Sequence, residues 1–289
     1  MRMIKQFLRQ HPTLRSRLVA WLQDMRWKRH IFNDWQTTVL FKKRRETPTP
    51  FGFTLVAENY LANRMMQDGV FEPEETAIIQ QHLKSADLFV DIGANIGFYT
   101  CLARAAGKIA IAIEPQPRNL NCLYTNLLRN NWGDTEVFPL GLSAHSGLVT
   151  LYGASGPSAS LISGWADYSN RYKQVISVST LDTLLGDRFV GKRTFIKLDV
   201  EGTEYDVLCG GEATLAMNPR PKWLVEICLS EYHPNGMNSN YAATFELFWQ
   251  HGYEVRTANR ANHLVQREDV SEWIRRGRSE SGAINYICQ

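Results

Sequence analysis

The pattern of apolar residues after residue 85 alternates between two periods. Short runs that are apolar almost throughout recur, and several are followed by longer segments whose apolar residues lie three or four positions apart. Buried strands of a parallel sheet give continuous apolar runs, whereas amphipathic helices give the longer period. The predicted strands are residues 88–92, 109–113, 136–140, 149–152, 175–178, 194–198, 223–228, 253–256 and 284–287.

Helices are predicted before or between these strands. They cover residues 59–69, 72–84, 98–106, 117–131, 203–208 and 241–251. Pro73 and Pro117 suit the first turn of a helix, where the missing backbone N–H costs nothing. Strands that alternate with helices indicate an α/β fold, in which helices cover both faces of a mostly parallel sheet.

The first 50 residues follow a different pattern. Between residues 13 and 29, apolar side chains recur at helical spacing while basic residues lie largely off that stripe. Pro48 and Pro50 then suggest a boundary. We predict a basic, amphipathic helical arm over residues 1–50 and an α/β domain over residues 51–289.

Charge is distributed unevenly between these two parts. The formal net charge of the 289 residues is +3, but residues 1–46 contain twelve Lys or Arg and three acids, a net +9. The remaining residues therefore carry a net charge of −6. The arm could lie on an anionic membrane surface, pack on the α/β domain or a partner subunit, or bind nucleic acid. Nucleic acid is the least favoured partner, because the positive charge lies outside the α/β domain. The oligomeric state stays open.

Composition limits the class of protein and its compartment. With 44% hydrophobic and 21% charged residues, the chain fits a soluble globular protein. No run approaches the length of a membrane-spanning helix or of a secretory signal's apolar region. The five cysteines form no C-x-x-C pair and suggest neither a zinc site nor a disulfide framework. We expect a cytoplasmic protein with reduced cysteines, and we also consider membrane association through residues 1–46.

A glycine-containing turn after the strand at 88–92 carries the clearest chemical signal. Gly93 and Gly97 lie between this strand and the next helix, where α/β sheets bind ligands. Glu114 ends the following strand, 23 residues after Asp91. A carboxylate at that place can accept hydrogen bonds from both ribose hydroxyls of an adenosine-containing cofactor.

The residues of this turn favour one cofactor over another. A nicotinamide fingerprint needs glycines where Asn95 and Phe98 stand here. Asp91 would repel a phosphate but would suit an ammonium group, as in S-adenosylmethionine. A nicotinamide-dependent oxidoreductase and a tight turn with no ligand remain as alternatives.

Several motifs in the same order resemble those of the FkbM family of S-adenosylmethionine-dependent methyltransferases. They are VDIGANIGFYT at 90–100, AIEP at 112–115, GLS at 141–143, SVSTLD at 177–182 and KLDVEGTEYDVLCGG at 197–211. The resemblance spans about residues 60–260. It implies a class I methyltransferase fold, which is Rossmann-like and has a seven-stranded sheet with an antiparallel last strand.

The resemblance also implies which residues bind the cofactor. The glycine turn would surround the methionine end of S-adenosylmethionine with Asp91, Gly93, Ala94, Asn95 and Gly97. Glu114 would hold the ribose with Pro115 beside it, and Leu142 and Ser143 would lie near the adenine. Glu72 fits the family pattern before the first strand and is added to the cofactor set.

The family chiefly O-methylates hydroxyls on sugars, glycans and other small molecules or natural products, so we expect such an acceptor. A hydroxyl needs a base or a metal to remove its proton. We predict Asp199 as base or metal ligand and Glu201 as the residue that orients the acceptor. The alternative is that both acids cap the helix near residue 203. A catalytically inactive cofactor-binding scaffold is a further alternative.

Two more residues belong to the candidate site. Glu226 is an acid inside an apolar strand, and His233 follows it as a further base or metal ligand. Asp199, Glu226 and His233 together would suit a divalent metal such as Mg²⁺, although their spacing does not require one. The run Asp199-Val200-Glu201-Gly202 replaces the Pro-Pro-aromatic motif of enzymes that methylate base amines, which disfavours that reaction.

Overall fold

The structure, a computed structural model, describes residues 44–58, 61–153, 158–167, 170, 172–234, 236–279 and 282–289. These residues belong to one compact unit, Lys43–Gln289. The amphipathic helix predicted at residues 13–29 lies outside the described residues, as does most of the basic arm. Among the described residues, no helix has the length and apolar character needed to cross a membrane.

The described residues form strands and helices as follows. The strands are β1 (Arg45–Pro48), β2 (Thr54–Ala57), β3 (Leu88–Ile92), β4 (Ile109–Ile113), β5 (Glu136–Phe138), β6 (Gly141–Leu142), β7 (Gly147–Tyr152), β8 (Lys173–Ser179), β9 (Thr194–Leu198), β10 (Lys222–Glu226), β11 (Val255–Thr257) and β12 (Asn285–Cys288). The helices are α1 (Leu61–Asp68), α2 (Pro73–Leu83), α3 (Phe98–Ala105), α4 (Pro117–Arg129), α5 (Leu181–Leu185), α6 (Glu204–Cys209), α7 (Glu212–Leu215), α8 (Tyr241–Gln250) and α9 (Arg267–Arg276).

Seven strands form the central sheet, in the order β11-β12-β10-β9-β3-β4-β5. Strands β5, β4, β3, β9 and β10 run parallel. Strand β12 lies antiparallel between β10 and β11. The predicted seven-stranded, mostly parallel sheet with an antiparallel last strand is therefore confirmed.

Both faces of this sheet are covered, which explains why its strands are apolar throughout. On β3, Leu88 and Val90 pack into the core on one face, and Phe89 packs into the core on the other. Phe245 of α8 belongs to the first core and Leu102 of α3 to the second. Helices on both faces were predicted, and the structure contains them.

The strands predicted at 149–152 and 175–178 belong to a separate small sheet. Strands β7 and β8 pair antiparallel, and the two-residue strand β6 pairs parallel with β8. This three-stranded sheet lies outside the central one. Strand β6 was not predicted, because two residues are too short to give a hydrophobic pattern.

An N-terminal hairpin, also not predicted, joins β1 and β2. The backbone N–H groups of Thr54 and Val56 donate to the side chains of Asn130 and Asn126 at the end of α4, at 2.8 and 2.6 Å. Pro48 ends β1, and Pro50 lies in the hairpin turn. The predicted boundary at residue 50 thus falls inside a hairpin.

The predicted element bounds agree closely with the observed ones, and the differences lie at the ends. The strand predicted at 136–140 ends at Phe138, and the strand predicted at 223–228 ends at Glu226. Helices α5, α7 and α9 were not predicted. Helix α9 begins with a capping box between Gln266 and Asp269.

Candidate active site

A pocket of about 890 Å³, open to solvent, lies at the carboxyl ends of β3, β4 and β9. Most of the predicted site residues line it: Glu72, Gly93, Ala94, Asn95, Glu114, Pro115, Leu142, Asp199 and Glu201. Asp91, Gly97, Ser143 and His233 are not lining residues. The backbone N–H of Ser143 instead donates to the carbonyl of Ser179 at 3.0 Å.

The turn after β3 passes very close to the end of β9. Gly93 has φ +82°, and a Cβ built on it would lie 1.8 Å from the carbonyl oxygen of Asp199. The backbone N–H groups of Gly93 and Ala94 both donate to the carbonyl of Ile113 on β4, at 3.0 Å. The turn is thus fixed between the two strands that flank β3, and glycine is required at position 93 for both its φ and its space.

Asp91 is buried next to this turn. Its Oδ2 accepts a hydrogen bond of 2.5 Å from the Thr100 hydroxyl, and its Oδ1 has no partner among the described residues. Burial raises the pKa of Asp91 above its ordinary value, while the charge of Lys197 acts against this. A buried carboxylate oxygen without a donor fits a cationic, hydrogen-bonding group such as an ammonium.

Glu114 follows β4 and faces the pocket. Its carboxylate accepts hydrogen bonds from the backbone N–H groups of Asn95 and Gln116, at 2.8 and 2.9 Å, and from the Asn119 amide at 3.2 Å. Burial raises its pKa to about 7. Two carboxylate oxygens offer about four acceptor positions, so this fixed group can still accept from a ribose hydroxyl.

Lys197 is a buried cation that sequence reasoning missed. Its Nζ lies 2.7 Å from Oδ2 of Asp199 and 5.3 Å from the centroid of the Tyr99 ring. Burial lowers the pKa of Lys197, but the carboxylates of Asp199 and Glu72, with that of Asp91, outweigh this and raise it. A lysine inside an otherwise apolar strand was the available signal.

Glu72 joins this cluster of charges from the turn before α2. Its Oε2 accepts a 2.8 Å hydrogen bond from the Tyr99 hydroxyl. Burial raises the pKa of Glu72 to about 7, against the nearby positive charge of Lys197. The side chain thus lines the predicted cofactor pocket on the side of Lys197 and Tyr99.

Glu201 sits in the turn between β9 and α6 in a left-handed conformation, with φ +58°. Its Oε2 accepts a 2.6 Å hydrogen bond from Nε1 of Trp165, and its backbone carbonyl accepts one of 2.6 Å from the Ser160 hydroxyl. Burial raises the pKa of Glu201 to about 8, and the nearby charge of Asp199 adds to the effect.

The acid that holds this turn is Glu204. Its Oε1 accepts hydrogen bonds from the backbone N–H groups of Val200 and Gly202, at 3.2 and 3.0 Å. Helix α6 has no side-chain hydrogen bond at its N-cap, Thr203. Within the described part of the chain, neither Asp199 nor Glu201 accepts a backbone N–H, so the capping alternative is not supported by these contacts.

Neither Glu226 nor His233 lines the pocket. The Cys228 thiol donates to Oε1 of Glu226 at 3.5 Å, and burial, reinforced by Asp199, raises the pKa of Glu226 well above its ordinary value. His233 packs against the Trp165 ring at 4.7 Å, and burial lowers its pKa. Where the structure describes the chain, no three His, Cys, Asp or Glu side chains are grouped to hold a metal.

The family comparison decides between the cofactor classes. The family described as the methyltransferase FkbM domain matches residues 91–255, more than half of the chain. The chain belongs to the FkbM methyltransferase family. Its domain has the class I, Rossmann-like fold of S-adenosylmethionine-dependent methyltransferases, as the order of the central strands indicates. The resemblance found in the sequence is confirmed, and the nicotinamide alternative is not supported.

One curated relative is the hexuronic acid methyltransferase AglP of Haloferax volcanii, 29% identical over 141 residues. The match covers 48% of this chain and 56% of that relative's length. Among solved structures, an O-methyltransferase from Bacillus cereus has a TM-score of 0.42 at 14% identity and covers 78% of this chain and 84% of its own. Fibrillarin from Aeropyrum pernix has a TM-score of 0.41 at 11% identity, covering 86% and 83%.

Proposed function

We propose that this chain transfers the methyl group of S-adenosylmethionine to a hydroxyl of a sugar, glycan or other small hydroxylated molecule. The observation that carries the proposal is the pair of carboxylates that follows β9. Asp199 and Glu201 line the same pocket as Glu114, and each is held by a separate donor, Lys197 or Trp165. A carboxylate beside the cofactor is the group that a hydroxyl acceptor needs to lose its proton.

Polar side chains in the pocket lining and in the turn beside it fit the cofactor at both of its polar ends. The free Oδ1 of buried Asp91 suits the ammonium group, and Glu114 suits the ribose hydroxyls. Leu142 and Pro115 offer apolar contact to the adenine. When bound, S-adenosylmethionine supplies an electrophilic methyl group on a sulfonium. The protein must then align the acceptor with it and remove the acceptor's proton.

We assign the role of proton acceptor to Glu201 and the role of orienting the acceptor to Asp199. This assignment exchanges the roles expected from the sequence. Asp199 is paired with the buried ammonium of Lys197, so that one of its carboxylate oxygens is already occupied by a cation. Glu201 has no cation paired with it among the described residues, and burial raises its pKa to about 8. A base is most effective when its pKa lies near the working pH.

Two observations support a hydroxyl on a sugar as the acceptor. The relative AglP is named for a hexuronic acid, a sugar acid. The turn after β9 reads Asp199-Val200-Glu201-Gly202 and lacks the Pro-Pro-aromatic run of enzymes that methylate base amines. We therefore place neutral sugars and sugar acids first among the acceptors to be tried.

The test combines cofactor binding with turnover. We expect calorimetry to detect S-adenosylmethionine but not a nicotinamide dinucleotide. We expect turnover with at least one member of a panel of neutral sugars, uronic acids and small polyols. Glu201→Gln should lower kcat by roughly 100-fold or more, in line with loss of a general base, while cofactor affinity stays within a fewfold.

Controls separate this proposal from an inactive scaffold and from metal catalysis. Glu212→Gln, which alters an exposed acid on α7, should turn over as the wild type does. Cofactor binding without turnover on any acceptor of the panel would favour the scaffold. Turnover lost with EDTA and restored by Mg²⁺ would give Asp199 the role of metal ligand instead of orienting residue.

The division into an arm over residues 1–50 and a catalytic domain over residues 51–289 stays a proposal, as does membrane contact through residues 1–46. The charge of the arm supports the second idea. Co-sedimentation of the full chain with anionic and with neutral vesicles tests it. Equal pelleting with both kinds of vesicle would contradict an electrostatic contact.

A further inference from the structure

The carboxylate of Glu201 is held by a tryptophan that comes from outside the central sheet. Trp165 lies in a short 3₁₀ turn, Trp165–Asp167, within the long connection between β7 and β8. Its Nε1 donates to Oε2 of Glu201 at 2.6 Å. A hydrogen bond to an ionised acceptor is shorter and stronger than a neutral one, so this contact fixes one carboxylate oxygen.

The indole also fits closely against the backbone next to Glu201. A Cβ built on Gly202, whose φ is +98°, would lie 2.4 Å from Cζ3 of Trp165 and 2.9 Å from Cδ1 of Ile162. The ring is therefore in contact with the glycine, and no larger residue fits there. The Ser160 hydroxyl bonds to the backbone carbonyl of Glu201 from the same connection.

We infer that Trp165 is a positioning residue for methyl transfer, whose indole N–H holds the Glu201 carboxylate in the orientation in which it takes the acceptor's proton. The inference rests on the proposed role of Glu201 as proton acceptor. It adds a residue that is not itself part of the pocket lining and is not among the predicted cofactor-binding residues.

The charges around Glu201 give the direction of the effect. Asp199 on the same turn and Glu204 of α6 raise its pKa, and Glu226 at the end of β10 and Tyr232 beyond it interact with Glu201 as well. The hydrogen bonds from Trp165 and Ser158 lower it. The hydrogen-bond donors lower the pKa of Glu201, whereas the nearby acids and burial raise it. Removal of the indole N–H should therefore raise this pKa further.

The test is Trp165→Phe in the full chain, with the acceptor identified by the panel. A phenyl ring keeps contact with Gly202 and removes the donor. We expect kcat to fall roughly 10- to 100-fold, the loss of one hydrogen bond to a charged group. We expect the acidic limb of the kcat–pH profile to move up by about one unit, and the KM for S-adenosylmethionine to stay within about twofold, because the cofactor contacts are unchanged.

Trp223→Phe is the matched control. The indole of Trp223 is also fully buried and donates to the Tyr253 hydroxyl at 3.1 Å, but it lies at the start of β10, away from the pocket. This variant should lose thermal stability and keep the position of the acidic limb. If the acidic limb of the kcat–pH profile moved equally in both variants, the inference would be overturned. The shift would then reflect a general loss of packing and not the missing hydrogen bond to Glu201.

A second substitution covers the case in which Trp165→Phe does not fold. Trp165→3-benzothienylalanine keeps the shape of the ring system and replaces only the N–H by sulfur. Unchanged kcat and an unmoved limb in this protein would overturn the role of Trp165. If Glu201→Gln itself turned over as fast as the wild type, the base assignment would fail. If Glu201→Gln lost activity while the Trp165 variants kept theirs, only the inference about Trp165 would be overturned.

Discussion

Lys197 and Asp199 form an ion pair with Nζ and Oδ2 2.7 Å apart, in which both residues line the pocket and the cation is the more deeply buried. Residues two apart on a strand point to the same side, which brings both side chains to one face at the end of β9. The ammonium also lies close enough to Glu72 and Asp91 to interact with their charges. One buried cation therefore offsets acids from three separate segments.

Lys197→Met should destabilise the fold at neutral pH. Removing one partner of a buried ion pair leaves the other charge uncompensated and costs about 3 kcal/mol. Urea denaturation at pH 7.5 measures the loss of unfolding free energy. The loss should shrink at pH 5.5, because the orphaned acids can then take up protons.

Lys222→Met is the control for this prediction. Lys222 lies on the neighbouring strand β10 but is exposed, and its Nζ contacts the Gln289 side chain at 3.2 Å. Its replacement should change the unfolding free energy by less than about 0.5 kcal/mol. Equal losses in both variants would contradict the central position given to Lys197.

Asp91→Asn should separate cofactor binding from stability. The substitution keeps the shape of the side chain and removes a charge that is buried at a cost, so thermal stability should stay the same or rise. Affinity for S-adenosylmethionine should fall roughly 10- to 100-fold, since an ammonium would lose its ionised partner. Calorimetry and thermal denaturation measure the two quantities. Unchanged affinity would remove Asp91 from the cofactor site.

Gly93→Ala should be among the most damaging small substitutions in the chain. The new Cβ would lie 1.8 Å from the Asp199 carbonyl oxygen, so β3 and β9 could not keep their present ends. We expect a loss above roughly 4 kcal/mol in unfolding free energy. Gly107→Ala is the matched control, because its φ of +73° is similar and no atom lies within 4 Å of its Cβ position. It should cost about 1–2 kcal/mol, the strain of a left-handed alanine alone.

The unfolding free energy should fall as pH rises from about 5 to 8. Burial raises the pKa values of Glu72, Glu114 and Glu204 to about 7 and that of Glu201 to about 8, from an ordinary value of 4.5. The folded state therefore binds more protons than the unfolded state in this window, and stability decreases with pH.

Urea denaturation of the cofactor-free protein at pH 5.5, 6.5, 7.5 and 8.5 measures this slope. His82 and His233, whose pKa values are lowered, oppose it below about pH 6.5. Glu204→Gln should flatten the slope, because its amide oxygen can still accept both backbone N–H groups without titrating. Glu212→Gln should leave the slope unchanged, and a stability that rises throughout the window would show that these acids are ionised when folded.

The sequence was sufficient to predict the central sheet and the pocket-lining residues at the ends of its strands. Strands such as β3 and β9 are buried on both faces, so their apolar runs are continuous and easily found. The turn at Gly93 and the acid Glu114 lie at strand ends, where the parallel topology itself brings them together.

The contacts missed by the sequence are those between segments distant along the chain. Trp165 and Glu201 are 36 residues apart, and the connection that carries Trp165 has no periodic pattern. Lys197 was visible as a lysine in an apolar strand, but its partners come from three segments. Helix α9 had a readable signal in Gln266 and Asp269, whereas the two-residue strand β6 had none.

The connection between β7 and β8 contributes to the pocket wall and to the environment of Glu201. Ala159 and Leu161 line the pocket, while Ser160 and Trp165 bind Glu201. With Glu201 as the proposed base, a substitution in this connection would change both the shape of the pocket and the environment of that base. Exchanging this segment between relatives to obtain new acceptor specificity would therefore change the turnover rate as well. The two properties would have to be optimised together.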